Sequence, residues 1–239
     1  TFKEGGTNFT NSLLVGTDGT GTLSSATGNT GVGTSVLAAL TSGDRNTAIG
    51  IESMNDITTG ADNVAVGNNS LDETTTGTNN TAVGGYSLSE NTTASGNTAV
   101  GNVSLYCNTT GANNVAVGFC SLRANTTGTC NTAIGKSALL ANTTGINNVA
   151  VGHLSLDANT EGSKNIAVGQ HSLGTVTTGN NNVAVGHIAL EDLTTASNDT
   201  AIGAFSSRNI TTGANNTSVG YDSLAATTTA ADNTAMGAE

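Results

Sequence analysis

The chain has 239 residues and a formal net charge of −11, with 10% charged residues, 3% aromatic residues and no proline or tryptophan. An ordinary globular domain carries about 25% charged residues, so this composition argues against one. The negative charge disfavours nucleic acids and acidic lipids as partners, because both require a basic face. No apolar run approaches the roughly 18 residues that a membrane-spanning helix needs. We therefore expect no nucleic-acid binding and no membrane insertion.

The first part of the chain, residues 1–28, is the least regular. Its Leu13-Leu14-Val15-Gly16 segment resembles a degenerate end of the repeat that follows. The glycine-rich stretch 16–21 has the wrong spacing for a phosphate loop, and no lysine follows it. Terminal repeats of solenoids are usually atypical, so we predict irregular initial coils over residues 1–28.

From residue 29 to residue 239 the sequence repeats with a period of 17 residues. Each repeat ends on a glycine, without insertion or deletion, at Gly50, Gly67, Gly84, Gly101, Gly118, Gly135, Gly152, Gly169, Gly186, Gly203, Gly220 and Gly237. A fixed period near twenty residues is the signature of a solenoid. The sequence predicts an all-β, parallel β-solenoid of about 14 coils, each 17 residues long.

Each coil is numbered here from its glycine as position 1. Position 5 is leucine or methionine, position 9 is threonine, position 14 is asparagine, position 16 is alanine and position 17 is apolar, with few exceptions. Strands favour β-branched residues, and glycine suits turns. We predict one strand at positions 15–17 and a second strand centred on positions 4 and 5.

Two polar columns are predicted to form hydrogen-bonded ladders between stacked coils, as identical amides do in cross-β structures. The asparagine ladder is predicted at Asn63, Asn80, Asn97, Asn114, Asn131, Asn148, Asn165 and Asn182. The threonine ladder is predicted at Thr75, Thr92, Thr109, Thr126 and Thr143.

Both faces of the first strand are restricted in residue type. Side chains alternate in a strand, so positions 14 and 16 share one face and positions 15 and 17 share the other. One coil can bury only one of these faces in its interior. The other face therefore predicts association with further copies of the chain, as a homotrimer or a filament.

The repeats at 80–93 and 131–145 resemble the N-T-A-V-G-x-x-A-L-x-x-N-T-T-G repeats of fibre proteins of the phage tail-fibre type, which often end in an endosialidase-type chaperone domain. The A-V-G and A-I-G segments are also similar to head repeats of trimeric autotransporter adhesins. This resemblance implies a left-handed β-roll, three chains side by side, and a role in fibres or attachment. It implies no catalytic residue, and we expect neither the chaperone domain nor a membrane anchor within residues 1–239.

No constellation suited to catalysis or metal binding emerges from the sequence. His153 and His187 share position 2 but lie two coils apart, about 10 Å, which is too far for one metal ion. No serine, histidine and acid combination and no fixed acidic pair is found. We expect no enzyme activity, no catalytic residue, no metal and no cofactor. Several Asn-x-Ser/Thr sequons indicate possible glycosylation, at Asn91, Asn108, Asn125, Asn142 and Asn209.

The predicted function is a structural or adhesive fibre segment, a rigid spacer in a viral tail fibre or an extracellular filament. The expected location is extracellular, at a cell surface or on a virion, with a host receptor or surface glycan as a possible partner. The alternative is an ice- or surface-binding solenoid that uses threonine ladders. A polysaccharide-acting enzyme would need an acidic cluster in a groove, which the sequence lacks.

Overall fold

The computed structural model describes residues 2–6, 9–16 and 24–238, and every regular element in this part of the chain is a β-strand. Most strands are three residues long and occupy positions 15–17 of a coil. The strands are β1 (Phe2–Gly6), β2 (Phe9–Val15), β3 (Ala26–Thr27), β4 (Thr30–Val32), β5 (Thr47–Ile49), β6 (Val64–Val66), β7 (Thr81–Val83), β8 (Thr98–Val100), β9 (Val115–Val117), β10 (Thr132–Ile134), β11 (Val149–Val151), β12 (Ile166–Val168), β13 (Val183–Val185), β14 (Thr200–Ile202), β15 (Thr217–Val219) and β16 (Thr234–Met236).

The chain divides into two compact units, Thr1–Ala116 and Val117–Glu239, and β9 lies at the division. In the first unit β1 pairs antiparallel with β2, and β2 pairs in parallel with both β3 and β4. Strands β4 to β8 then pair in chain order, all in parallel. Stacking thus begins at β2, before residue 29, although residues 17–23 lie outside the described part.

In the second unit, strands β10 to β16 pair in chain order and in parallel. The register places each residue opposite the residue 17 positions later, as Ala133 pairs with Ala150 and Ile134 with Val151. The predicted fold class, an all-β parallel solenoid with 17-residue coils, is confirmed.

The interior of each coil is narrow and holds the alanine of position 16 and the leucine of position 5. Ala133 and Leu139 are both 0% exposed. A Cβ built on Gly31, which occupies position 16 of its coil, would lie 3.2 Å from Cδ1 of Leu37. Position 16 must therefore be small, because the leucine occupies the adjoining space.

The predicted second strand is wrong. Positions 2 to 7 form turns in each coil, and non-glycine residues at positions 3 and 5 have positive φ, as in Asn69 (φ 51°) and Leu71 (φ 51°). Left-handed backbone costs a non-glycine residue roughly 1–2 kcal/mol. It is held here by bonds to neighbouring coils, such as Leu71 N–H to Ser87 O at 3.1 Å, and by burial of the leucine side chain.

The glycine column at position 1 has two separate causes. Gly152 has a φ of +142°, which L side chains rarely adopt, and a Cβ there would lie 2.5 Å from the carbonyl oxygen of Gly169 in the next coil. At position 11 no left-handed φ is required, and the column accepts alanine at Ala94 and Ala196. Only position 1 is glycine in every coil from Gly33 to Gly237.

Candidate interaction surfaces and side-chain ladders

The predicted asparagine column lies inside the coils, where Asn63, Asn80, Asn97, Asn114, Asn131, Asn148, Asn165 and Asn182 are all 0% exposed. Asn148 shows the bonding pattern. Its Oδ1 accepts the backbone N–H of Asn165 at 3.0 Å, and its Nδ2 donates to the carbonyl of Gly162 at 2.8 Å. Both partners belong to the following coil. Amide-to-amide bonds also occur, as from Asn80 Nδ2 to Asn63 Oδ1 at 3.1 Å.

The predicted threonine column is half-buried, and its hydroxyls bond to backbone rather than to one another. Within the first unit, Thr75 donates to the Thr92 carbonyl at 3.2 Å and Thr92 donates to the Thr109 carbonyl at 3.1 Å. In the second unit, Thr126 donates to the Thr143 carbonyl at 3.1 Å. These hydroxyls link coils, so this column does not present a free hydroxyl surface of the kind that the ice-binding alternative requires.

A second buried column, at position 8, was not recognised in the sequence. In the first unit it holds Leu40, Ile57, Thr74, Asn91 and Asn108, and in the second unit Asn125, Asn142, Asn159, Val176, Leu193 and Ile210, all 0% exposed. Its asparagines bond to one another, as from Asn142 Nδ2 to Asn125 Oδ1 at 2.8 Å. Residue type changes along the column while burial does not, so variation in sequence concealed it.

The burial of Asn91, Asn108, Asn125 and Asn142 contradicts their interpretation as glycosylation sites. The Nδ2 atom of each faces the coil interior and donates to the position 11 carbonyl of the same coil, as Asn108 does to Gly111 at 2.9 Å. A glycan on Nδ2 would have to occupy a space that the stacked amides fill. Asn209 differs, because it is partly exposed at position 7, and its Nδ2 donates to the Ala225 carbonyl at 2.6 Å.

Asp199 is the single residue that interrupts the asparagine column between Asn29 and Asn233. It is 0% exposed, and its Oδ1 accepts both the backbone N–H of Asn216 at 2.8 Å and Nδ2 of Asn216 at 3.0 Å. Its Oδ2 is buried and has no hydrogen-bond partner. Burial raises the pKa of the Asp199 carboxyl, and the bonds from Asn216 offset this effect only in part.

The outer face of the parallel strands carries a continuous row of β-branched residues in each unit, which we call the apolar stripe. In the first unit the stripe comprises Val32, Ile49, Val66, Val83 and Val100, and in the second unit Val117, Ile134, Val151, Val168, Val185, Ile202 and Val219. The larger side chains are about two-fifths exposed, at 41% for Ile49 and Ile134 and 42% for Ile202. Position 15 flanks the stripe with threonine, valine or isoleucine. The sequence left open which strand face is internal, and the structure places alanine inside and this face outside.

Aromatic rings lie on a different part of the coil. Every tyrosine, phenylalanine and histidine in residues 24–238 occupies position 2, 3 or 6: Tyr86, Tyr106, Phe119, His153, His171, His187, Phe205 and Tyr221. His187 and Phe205 contact edge to face at a centroid distance of 5.2 Å, and Phe205 and Tyr221 do so at 5.8 Å. The sequence showed that His153 and His187 share a column, but the wider ring pattern was missed.

Two further findings concern the described residues alone. They contain no group of three or more histidine, cysteine or acidic side chains arranged to hold a metal ion. Nor do they include any helix with the length and hydropathy required to cross a bilayer.

Neither a protein-family model, nor a curated protein, nor a solved structure matches the chain.

Proposed function

We propose that the chain is a structural and adhesive fibre segment, not an enzyme, which assembles with copies of itself through the apolar stripe. The observation that carries this proposal is the outward, in-register row of valine and isoleucine on the parallel strands of each unit. Contiguous exposed apolar surface marks interaction sites in soluble proteins. A homotrimer or filament would remove this surface from water.

Parallel association suits the stripe because every coil presents the same residue types at the same positions. A neighbouring copy in register would set a valine or isoleucine row against an identical row, and each row is uncharged. The resemblance to fibre repeats favours three chains, and the proposed location is extracellular, at a cell surface or on a virion. The chain would then serve as a repetitive spacer whose turns remain available for attachment.

The test is the molar mass of the whole chain in solution, measured by light scattering, in the wild type and in the Ile134→Asp/Val168→Asp variant. Both residues belong to the stripe and are more than one-third exposed, so the substitutions place charge in the interface without entering the interior. We expect the wild type to be an oligomer of the 23.4 kDa chain and the variant to be a monomer.

The matched control is Thr144→Asp/Thr178→Asp. These residues are exposed at position 10 of coils two apart, so the control adds the same charge at the same spacing away from the stripe. It should assemble like the wild type. A monomeric wild type, or an Ile134→Asp/Val168→Asp variant that assembles as the wild type does, would overturn the proposal.

A further inference from the structure

The second unit carries an exposed aromatic or imidazole ring at position 2 of every second coil. We call Phe119, His153, His187 and Tyr221 the ring row, and each follows the previous one by 34 residues, or two coils. All four are exposed, with Tyr221 at 57% and Phe119 at 51%. The intervening coils have Lys136, Gln170 and Ala204 at this position. At about 4.8 Å per coil, successive rings of the row are about 9.6 Å apart.

Rings at position 3 of two intervening coils contact three members of the row, His153, His187 and Tyr221. Phe205 contacts His187 on one side and Tyr221 on the other, at interplanar angles of 84° and 82°. The Arg208 guanidinium lies over Phe205, 5.5 Å from its centroid, and pairs with Asp222 at 3.5 Å. His153 similarly contacts His171 at a centroid distance of 5.9 Å. Edge-to-face contacts of this kind restrict ring orientation, which reduces the entropy lost when a ligand binds.

We propose that the ring row binds a linear, uncharged, extended glycan, one ring stacking on each disaccharide of the polymer. A pyranose presents C–H groups on its faces and hydroxyls around its edge, so an exposed ring can bury the apolar face while the hydroxyls remain in water. In an extended β-linked chain, alternate sugars are turned over, and the same face returns after each disaccharide. The two-coil spacing between rings of the row is comparable with the length of one disaccharide in such a polymer.

The charge of the second unit selects against acidic ligands. Residues 117–239 contain four lysines and arginines against eight aspartates and glutamates, and Arg208, which lies over the supporting ring of Phe205, is already paired with Asp222. Polyanions such as nucleic acids or acidic glycans need an excess of basic groups. The proposal names a ligand for the adhesive function proposed above, and it rests on that function.

The test measures binding of cellohexaose and chitohexaose to the whole chain by isothermal titration calorimetry at pH 7.5. Maltohexaose, whose α-linked chain curves and does not repeat this face, is the comparison ligand. We expect at least one β-linked hexasaccharide to bind at least tenfold more tightly than maltohexaose. The Phe119→Ala/His187→Ala/Tyr221→Ala variant should lose affinity by more than tenfold, since each stacked ring contributes a factor of about two to ten.

Two controls make the result specific. The Lys136→Ala/Gln170→Ala variant alters the intervening coils at the same position and should bind within twofold of the wild type. Tyr221→Phe retains the ring and should bind like the wild type, while Tyr221→Ala alone should lose affinity, which guards against a misfolded triple variant. Absence of binding by both β-linked ligands, equal binding of maltohexaose, or wild-type affinity in the triple variant would each overturn the proposal.

Light scattering on the same samples separates this proposal from self-assembly. The ring row and the apolar stripe consist of different residues, at positions 2 and 17, so the triple variant leaves every stripe residue unchanged and should keep the molar mass of the wild type. A chain that assembles but binds neither β-linked hexasaccharide contradicts the ring-row proposal alone. A chain that binds a glycan as a monomer contradicts the assembly proposal alone.

Discussion

Ser207 and Ser218, which each interrupt an apolar column, hydrogen-bond to one another at 2.8 Å between their Oγ atoms. Ser207 stands at position 5, where the coils from Leu37 to Leu224 otherwise have leucine or methionine. Ser218 stands at position 16, where the coils from Ala48 to Ala235 otherwise have alanine. Both are buried, at 1% and 0% exposure. The two exceptions are therefore hydrogen-bonded to each other in the interior, where Ser218 Oγ also bonds to Ser206 Oγ at 2.5 Å.

We expect the Ser207→Leu/Ser218→Ala double variant to be more stable than the wild type by about 1–3 kcal/mol, because it restores the leucine and alanine pair of the other coils and buries an apolar side chain. Ser218→Ala alone should destabilise by about 1 kcal/mol, since it removes the hydroxyl partner of Ser207. Denaturant unfolding of the four proteins in the double-mutant cycle measures the coupling. Additive effects of the single changes would contradict this account.

The asparagine column at position 14 is expected to stabilise the stack through bonds to the following coil. Asn97→Leu removes the acceptor of the Asn114 backbone N–H at 2.9 Å and the donor to the Gly111 carbonyl at 2.9 Å. Leaving a buried N–H unsatisfied costs about 1–3 kcal/mol, so the free energy of unfolding should fall by that amount. Asn102→Leu, at an exposed position of the next coil, should change it by less than about 0.5 kcal/mol. Thermal unfolding of both variants checks this difference in stability. Equal shifts in melting temperature would show that the asparagine column contributes no more to stability than an exposed position does.

The position 8 column supplies a prediction based on where its asparagine ladder ends. Asn159 is the last asparagine in this column, followed by Val176, and its Oδ1 is buried without a partner. Asn142 lies one coil earlier, and its Oδ1 accepts Nδ2 of Asn159 at 2.8 Å. Asn142→Leu therefore removes a partner on both sides, whereas Asn159→Leu removes a partner on one side and also eliminates the unsatisfied oxygen.

We expect Asn142→Leu to destabilise by about 1–2 kcal/mol more than Asn159→Leu, as measured by denaturant unfolding. The two variants make the same substitution in neighbouring coils of one column, so each serves as the control for the other. A larger loss in Asn159→Leu would mean that the ladder bonds do not determine stability at this position.

Asp199 predicts a pH dependence of stability with a defined sign. Burial raises the pKa of this carboxyl in the folded chain above its ordinary value of 3.8, so the folded state holds the proton more tightly than the unfolded state. The stabilising effect of protonation is complete below the unfolded pKa. It is lost as the pH rises from there through the raised folded pKa.

Asp199→Asn removes this titration and restores the Nδ2 donor that neighbouring asparagines direct at the position 11 carbonyl of the next coil, as Asn182 does to Ala196 at 3.0 Å. We expect the variant to be more stable than the wild type by about 1–3 kcal/mol at pH 7, and the difference to narrow towards pH 3.5. Thermal unfolding of both proteins at several pH values measures this difference in stability. The contributions of the other titrating groups are the same in both proteins and cancel in the difference. A difference that stays constant with pH would exclude a buried, titrating Asp199.

The columns of constant residue type allowed the period, the parallel stacking and the ladder positions to be predicted from the sequence. Burial at position 8 was not predictable in this way, because leucine, threonine, asparagine and valine all fit the same interior space. The second strand was predicted wrongly, since β propensity at positions 4 and 5 gives no sign that Leu71 and its equivalents adopt positive φ. The orientation of the first strand depended on interior width, which becomes evident only when Ala133 and Leu139 are both seen to be buried.

The ring row was hidden for a different reason. Its period is two coils, so a comparison of single repeats treats position 2 as a variable, solvated site. Tyr221 and His187 look unrelated in such a comparison, and only their common spacing from Phe119 and His153 connects them. Surface features of a repeat protein can thus follow a longer period than its core.

The 17-residue register also governs how such a gene can change its length. Recombination between repeats preserves the columns only when the crossover joins equivalent positions, as would occur if Ile134 were joined to Gly152. Loss of one coil from the interior of the second unit would leave the buried columns intact. It would also change the distance between two neighbouring rings of the ring row, which would no longer be two coils apart. Loss of two coils would preserve both periods. Selection that maintains the ring row would therefore permit coils to be gained or lost only in pairs. Selection that maintains the fold alone would permit any whole number of coils to be gained or lost.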